Sequence, residues 1–152
     1  MTRYGLTIAF VCVVLLQLTQ QILFVAFESA SVPVTVTPFF NLVVVWNPGI
    51  SFGMLQQIPH GQWVLPIAAM VIVLMLTRWL WIIEDRFTAS ALGLIIGGAI
   101  GNLVDRLRFS AVFDYLYFHA FGYHWPAFNV ADSLILIGAA LLFFENFIQR
   151  VR

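Results

Sequence analysis

The sequence predicts an all-α integral membrane protein. It would have four transmembrane helices, a small extracytoplasmic antiparallel β-sheet and a second outer loop, all in one polytopic domain over residues 1–152. Composition is the first of three observations behind this. The chain is 62% hydrophobic and 9% charged, with a mean hydropathy of +0.97, too little polar surface to clothe a soluble domain of 152 residues. Second, the apolar residues gather into four stretches, each able to cross ~30 Å of hydrocarbon as a helix of about 20 residues. Third, the connections that would lie outside are too patterned to be plain linkers. A formal charge of zero gives no reason to expect a nucleic-acid partner.

The first span covers roughly residues 5–27. Arg3 in front of it and Ser29-Ala30-Ser31 behind it faintly resemble a signal peptide. However, the apolar run exceeds the usual 7–15 residues of such a segment, and Gln17, Thr19, Gln20 and Gln21 interrupt its second half. An uncleaved helix is expected. Cys12 lies inside it and is the only cysteine, so no disulfide framework exists and a buried filler role is expected.

An outer β region is expected over roughly residues 32–58. Val32-Pro-Val-Thr-Val-Thr37 alternates with period two, Asn41 to Trp46 is β-branched, and Asn47-Pro48-Gly49 is a turn before Ile50 to Leu55. The second span runs roughly over 63–83 and the third over 88–104. The third is short, and Gly93, Gly97 and Gly101 form small-xxx-small steps that admit a neighbouring helix closely. The second connection, Arg106 to Ala127, carries Tyr115, Tyr117, Tyr123 and Trp125, aromatics suited to headgroup level. The fourth span covers roughly 128–147.

Arginines orient these spans, because the chain has no lysine. Arg3, Arg78, Arg86, Arg150 and Arg152 fall on one side of four crossings, which makes that side cytoplasmic and puts both termini there. Arg106 and Arg108 fall on the other side and call for a specific explanation.

Two aspartates, Asp114 and Asp132, sit where apolar sequence meets water. Carboxylates beside hydrocarbon are expensive, so their presence points to function. Two carboxyls brought close cannot both ionise easily. One keeps a proton while the other takes one from water, which is the equipment of an aspartic hydrolase. The alternative is that each caps a helix or pairs with an arginine. Asn102, Asp105 and Arg106 share one helical face at i, i+3 and i+4, and Asn129 lies one turn before Asp132. These residues would form a polar wall around the carboxylates, with Asn129 orienting Asp132 or meeting a substrate carbonyl. Asp105 beside Arg106 is also readable as a plain ion pair. His60, His119 and His124 are scattered over outer loops and are expected to be interfacial. No serine–histidine or cysteine–histidine arrangement competes.

Gly101-Asn-Leu-Val-Asp-Arg106, Val112-Phe-Asp114 and Phe128-Asn-Val-Ala-Asp132, with Asn47-Pro-Gly-Ile-Ser-Phe52 before them, resemble lipoprotein signal peptidase (signal peptidase II) in type and order along essentially the whole chain. The resemblance implies an aspartic endopeptidase of the bacterial inner membrane with its site near the periplasmic face. Its substrates would be diacylglyceryl-modified prolipoproteins, cut on the amino side of the lipidated cysteine. Asp114 and Asp132 match the family's catalytic pair. Asn102, Asp105, Arg106 and Asn129 match polar positions lining the site, and Asn47 and Gly49 match a contact motif of the outer sheet. No cofactor or metal is implied. Membrane lipid and the cyclic lipopeptide inhibitor globomycin are implied partners, and the protein would act as a monomer. One departure is clear. Gln17 and Gln21 stand where the family usually has an aspartate and, four residues on, a lysine.

Two other readings remain open at this point. An inactive relative that only binds lipoproteins would account for the missing charged pair, but not for both aspartates. A carboxylate–metal lipid transferase could use Asp105, Asp114 and Asp132, but they do not form a compact ligand motif.

Overall fold

In the computed structural model, residues 1–29, 31–49 and 60–151 are described. In chain order they form α1 (Thr2–Ser29), β1 (Val34–Thr37), β2 (Phe40–Asn47), α2 (Gly61–Leu80), α3 (Arg86–Phe109), β3 (Val112–Ala120), β4 (Tyr123–His124) and α4 (Val130–Val151). The four strands form one antiparallel sheet in the order β1-β2-β3-β4. Among the described residues, α1, α2 and α3 are each long and apolar enough to cross a membrane.

The helices are arranged around α3, which packs along α1, α2 and α4. Its most apolar window is 67% buried, against 17% for those of α1 and α2, so α3 is the central helix and the other two leave most of their surface uncovered by protein. Small residues make this possible. A Cβ on Gly97 would lie 2.7 Å from the Cys12 Cβ, and one on Gly98 would lie 2.6 Å from the Ala131 carbonyl oxygen. Helix backbones can therefore approach on two faces of α3, on one side to α1 and on the other to α4. Leu80, Ala89, Leu92 and Ile96 with Ala9 form the dry centre of the bundle.

The helix bounds differ from the sequence expectation in one way that matters. α3 does not stop near Val104 but continues to Phe109, taking Asp105, Arg106 and Arg108 into its last turns. It ends where Ser110 adopts a left-handed backbone (φ 58°) and donates its N–H to the Arg106 carbonyl.

The outer region also differs. Its two strands up to residue 49 run for four and eight residues, and the expected continuation over Ile50 to Leu55 lies outside the described residues. The longest strand comes from the second connection instead, over Val112–Ala120. Val45 pairs with Asp114, Trp46 with Phe113 and Asn47 with Val112. Phe113 is fully buried, with ring centroids of Phe24 at 4.6 Å, Trp46 at 5.3 Å and Tyr115 at 5.4 Å. This aromatic plug fastens the sheet to α1 and fixes which face of β3 turns inward.

Candidate active site

Asp114 is carried by β3 and is 1% exposed. Asn47 lies opposite Val112 on the neighbouring strand, so Asp114 is its diagonal neighbour on the same sheet face. The Asn47 amide donates to Asp114 Oδ2 at 2.9 Å. Asn47 in turn is held by an Asx turn, its Oδ1 accepting from the Gly49 N–H at 2.9 Å. The Gly49 carbonyl accepts from Arg106 at 2.7 Å, and Arg106 also donates to the Asn102 carbonyl at 3.3 Å. The guanidinium therefore ties the turn after β2 to α3.

Asp132 enters from the first turn of α4. Asn129 caps that helix, its Oδ1 accepting the Asp132 N–H at 3.0 Å, while Asp132 Oδ2 faces the Asn129 N–H at 3.5 Å. This is a capping box with an aspartate in the third position. The capping alternative is thus part of the geometry, but it engages only one oxygen. Asp132 Oδ1 accepts from the Asn102 amide at 2.8 Å.

The two aspartates are linked through amides. Asn129 Nδ2 donates to Asp114 Oδ1 at 3.0 Å and to Asn102 Oδ1 at 3.1 Å, with the Phe113 carbonyl at 3.3 Å. Asn102 Nδ2 then reaches Asp132. The chain Asp114–Asn129–Asn102–Asp132 fixes both carboxylates relative to each other using neutral donors. Burial pushes the Asp114 carboxyl up to about 7. The amide of Asn47 opposes the rise, the neighbouring Asp132 charge adds to it, and the Asn129 amide and Arg106 charge oppose it more weakly. A buried carboxyl with a pKa near 7, beside a second carboxylate, can hold a proton at neutral pH while its partner takes one.

Asp105 faces away from this pair. It is 4% exposed, and its Oδ2 accepts from Gln20 on α1 at 2.7 Å and from the Phe113 N–H at 3.2 Å. A cavity of about 20 Å³ separates it from the wall, lined by Gln17, Gln20, Asn102, Asp105, Tyr115 and Asn129 among others. The sequence-predicted face of Asn102, Asp105 and Arg106 is therefore split: Asn102 and Arg106 turn to the aspartates, and Asp105 to α1.

Sequence reasoning missed two further residues. Tyr115, expected at headgroup level, is 5% exposed, and its hydroxyl accepts from the Val130 N–H at 3.4 Å. Gln20 is 5% exposed, whereas Gln21 is exposed and Gln17 accepts from Arg108 at 3.1 Å. The buried positions Gly5, Ala9, Leu16 and Gln20 form one stripe along α1, and that spacing is the signal that singles out Gln20.

The signal peptidase (SPase) II family profile matches residues 8–148. A lipoprotein signal peptidase of Beijerinckia indica is 42% identical over 91% of this chain and 84% of its own length. One from Methylobacterium sp. (strain 4-46) is 43% identical over 93% and 87%. One from Rhodopseudomonas palustris (strain CGA009) is 41% identical over 96% and 93%. A solved bacterial membrane enzyme shares the fold with a TM-score of 0.82 at 27% identity, covering 96% of this chain and 88% of that one. With the profile spanning nearly the whole chain and relatives above 40% identity matched over 91% and 93% of it, this chain belongs to the signal peptidase II family.

Proposed function

We propose that this chain is an aspartic endopeptidase of the bacterial inner membrane that removes signal peptides from diacylglyceryl-modified prolipoproteins. It cuts on the amino side of the lipidated cysteine. The observation that carries this reading is the amide-bridged pair Asp114 and Asp132, with Asp114 buried and raised to about 7.

Asp114 holds the proton, and Asp132 is the base. A water between the two carboxyls loses a proton to Asp132 as its oxygen attacks the scissile carbonyl carbon. Asp114 donates its hydrogen bond to the oxygen on which negative charge develops. The proton taken by Asp132 passes to the leaving amine as the tetrahedral intermediate collapses. Asn102 and Asn129 set the carboxylate orientation throughout. Asn47 and Gly49 present the edge of the sheet to the substrate, and Arg106 holds that edge against α3. Asp105 borders the site from the α1 side.

The four-span arrangement completes the reading, with both termini cytoplasmic and the sheet outside. Arg3, Arg78 and Arg86 stand at or near helix ends away from the sheet, as the positive-inside rule requires. The two arginines that break the rule are each held by a specific acceptor, Arg106 by Gly49 and Arg108 by Gln17. Helices that expose apolar surface to lipid let acyl chains stay in the bilayer while the peptide reaches the aspartates. We extend the proposal to inhibition by globomycin-type lipopeptides and to action as a monomer.

The test is cleavage of a lipidated prolipoprotein by purified protein in bilayers, with a chelator present. Asp114→Asn and Asp132→Asn should each reduce turnover at least about 10²–10⁴-fold, the usual contribution of a positioned acid or base. Substantial turnover by either folded variant would overturn the assignment. Loss of wild-type activity with chelator would favour the metal-dependent alternative.

A further inference from the structure

The hairpin of β3 and β4 carries features that peptide hydrolysis does not use. From Tyr115 to Phe128 the chain has no formally charged residue. Its turn is built by Phe121 at φ 50° and Gly122 at φ 81°. Glycine adopts this left-handed backbone freely, but a bulky aromatic is strained there. Phe121 is also 101% exposed, with Tyr123 at 83% and Trp125 at 57%. In water this tip is unfavourable twice over, through its backbone and through its bare hydrocarbon. At the boundary of headgroups and acyl chains the second penalty becomes a gain.

Chain continuity indicates what covers it. Trp125 leads through Pro126 and Ala127 to Phe128, which pairs with Leu116 and immediately precedes Asn129, the cap of α4. The hairpin therefore projects from the N-terminal end of α4. The Tyr117 hydroxyl meets His124 Nδ1 at 2.6 Å, one pair behind the Ala120–Tyr123 pair that closes the turn. An exposed aromatic tip with a polar pair directly behind it and no formal charge is the profile of a segment that dips into an interface.

We propose that the tip formed by Phe121, Tyr123 and Trp125 inserts into the bilayer leaflet bordering the sheet and sets the depth at which β3 holds Asp114. This rests on the four-span reading with the sheet outside.

The experiment uses Ala120→Cys in a Cys12→Ala background, with a fluorophore on the new thiol and the protein in phosphatidylcholine–phosphatidylglycerol vesicles. Lipids brominated near the headgroup should quench the fluorophore strongly, and aqueous iodide weakly. Adding Phe121→Asn, which suits the left-handed turn but removes the aromatic, should reverse that order. It should leave cleavage in micelles unchanged and lower kcat/KM in vesicles roughly fivefold, whereas Phe121→Trp should keep both. Free quenching by iodide in the Phe121 protein overturns the proposal. So does protection that vanishes as protein is diluted with lipid, because a second copy of the chain would then be the cover. Sidedness is read separately with an impermeant thiol reagent. Reaction only from the cytoplasmic side would sink the four-span reading, not the insertion.

Discussion

On one side of the last turns of α3, Asn102 and Arg106 turn toward Asp114 and Asp132; beside them on the adjoining side, Asp105 turns toward α1. Both faces bury a carboxylate, and both use side-chain amides as donors, yet the two are built differently. Around the aspartate pair, the side-chain amides of Asn47, Asn102 and Asn129 that reach the carboxylate oxygens are themselves held elsewhere, so the carboxylates are fixed relative to each other. Asp105 has one oxygen bonded to Gln20 and Phe113, while Oδ1 is buried with no protein partner among the described residues. Its bonds join α1, α3 and the start of β3. The first arrangement positions reacting groups; the second assembles the frame that carries them.

Breaking the amide bridge should have the largest effect. Asn129→Ala removes the donor to Asp114, the link to Asn102 and the cap of α4 together. The expected loss in kcat is about a hundredfold, the scale of a lost preorganised donor. It should come with about 1 kcal/mol of destabilisation from the missing cap. Kinetics and thermal unfolding on the same preparation separate the two. A variant that loses stability but keeps kcat would reduce Asn129 to a helix cap.

The pH profile is the next test. With Asp114 as the protonated partner, kcat/KM should fall as pH rises through about 7. Because the two carboxyls are coupled, the midpoint belongs to the pair. Stability moves in the same direction. The folded state holds this proton more tightly than the unfolded chain. The stabilisation is therefore complete below about 4, where the unfolded carboxyl titrates, and is lost as pH rises through about 7. In Asp114→Asn the pH dependence of unfolding over this window should flatten.

On the side toward α1, Gln20→Leu removes the α1 donor to Asp105. The expected cost is about 1–3 kcal/mol for a buried acceptor left short of partners, with kcat per folded molecule unchanged. An equal loss of kcat would mean that the two faces are not separable.

The smallest effect is expected at the family's missing charged pair. From sequence, Gln17 and Gln21 form a couple one turn apart, so Gln17→Asp alone should be worse than Gln17→Asp with Gln21→Lys. The structure changes that expectation. Gln21 points outward, and Gln17 already meets Arg108. Gln17→Asp gains an arginine partner but also sets a second carboxylate beside Asp105, with which Gln17 lines a cavity; the two effects oppose, and the single change should fall within about 1 kcal/mol of wild type. Thermal stability of both singles and the double measures any coupling.

These contrasts also mark what could be read from the chain. The apolar stretches and glycine stripe reveal the helices and their close approach, because hydrocarbon thickness and backbone contact leave few alternatives. Both aspartates and their asparagines are legible as polar residues beside apolar sequence. The division between Asp105 and its neighbours is not, since it depends on α3 continuing past Val104. Strand β3 was equally hidden. Val112-Phe-Asp-Tyr-Leu is apolar at headgroup level as readily as within a sheet, and only pairing with Asn41 to Asn47 decides between them. Tyr115 was misplaced for the same reason.

The most direct measurement compares Asp114→Asn, Asp132→Asn and Gln20→Leu with wild type in single-turnover cleavage of a diacylglyceryl-modified prolipoprotein in bilayers, each corrected for the folded fraction. The account predicts cleavage before the lipidated cysteine by wild type and Gln20→Leu at equal rates, and none by either aspartate variant. Turnover by a folded aspartate variant, or a Gln20→Leu protein that is folded but inactive, would contradict it.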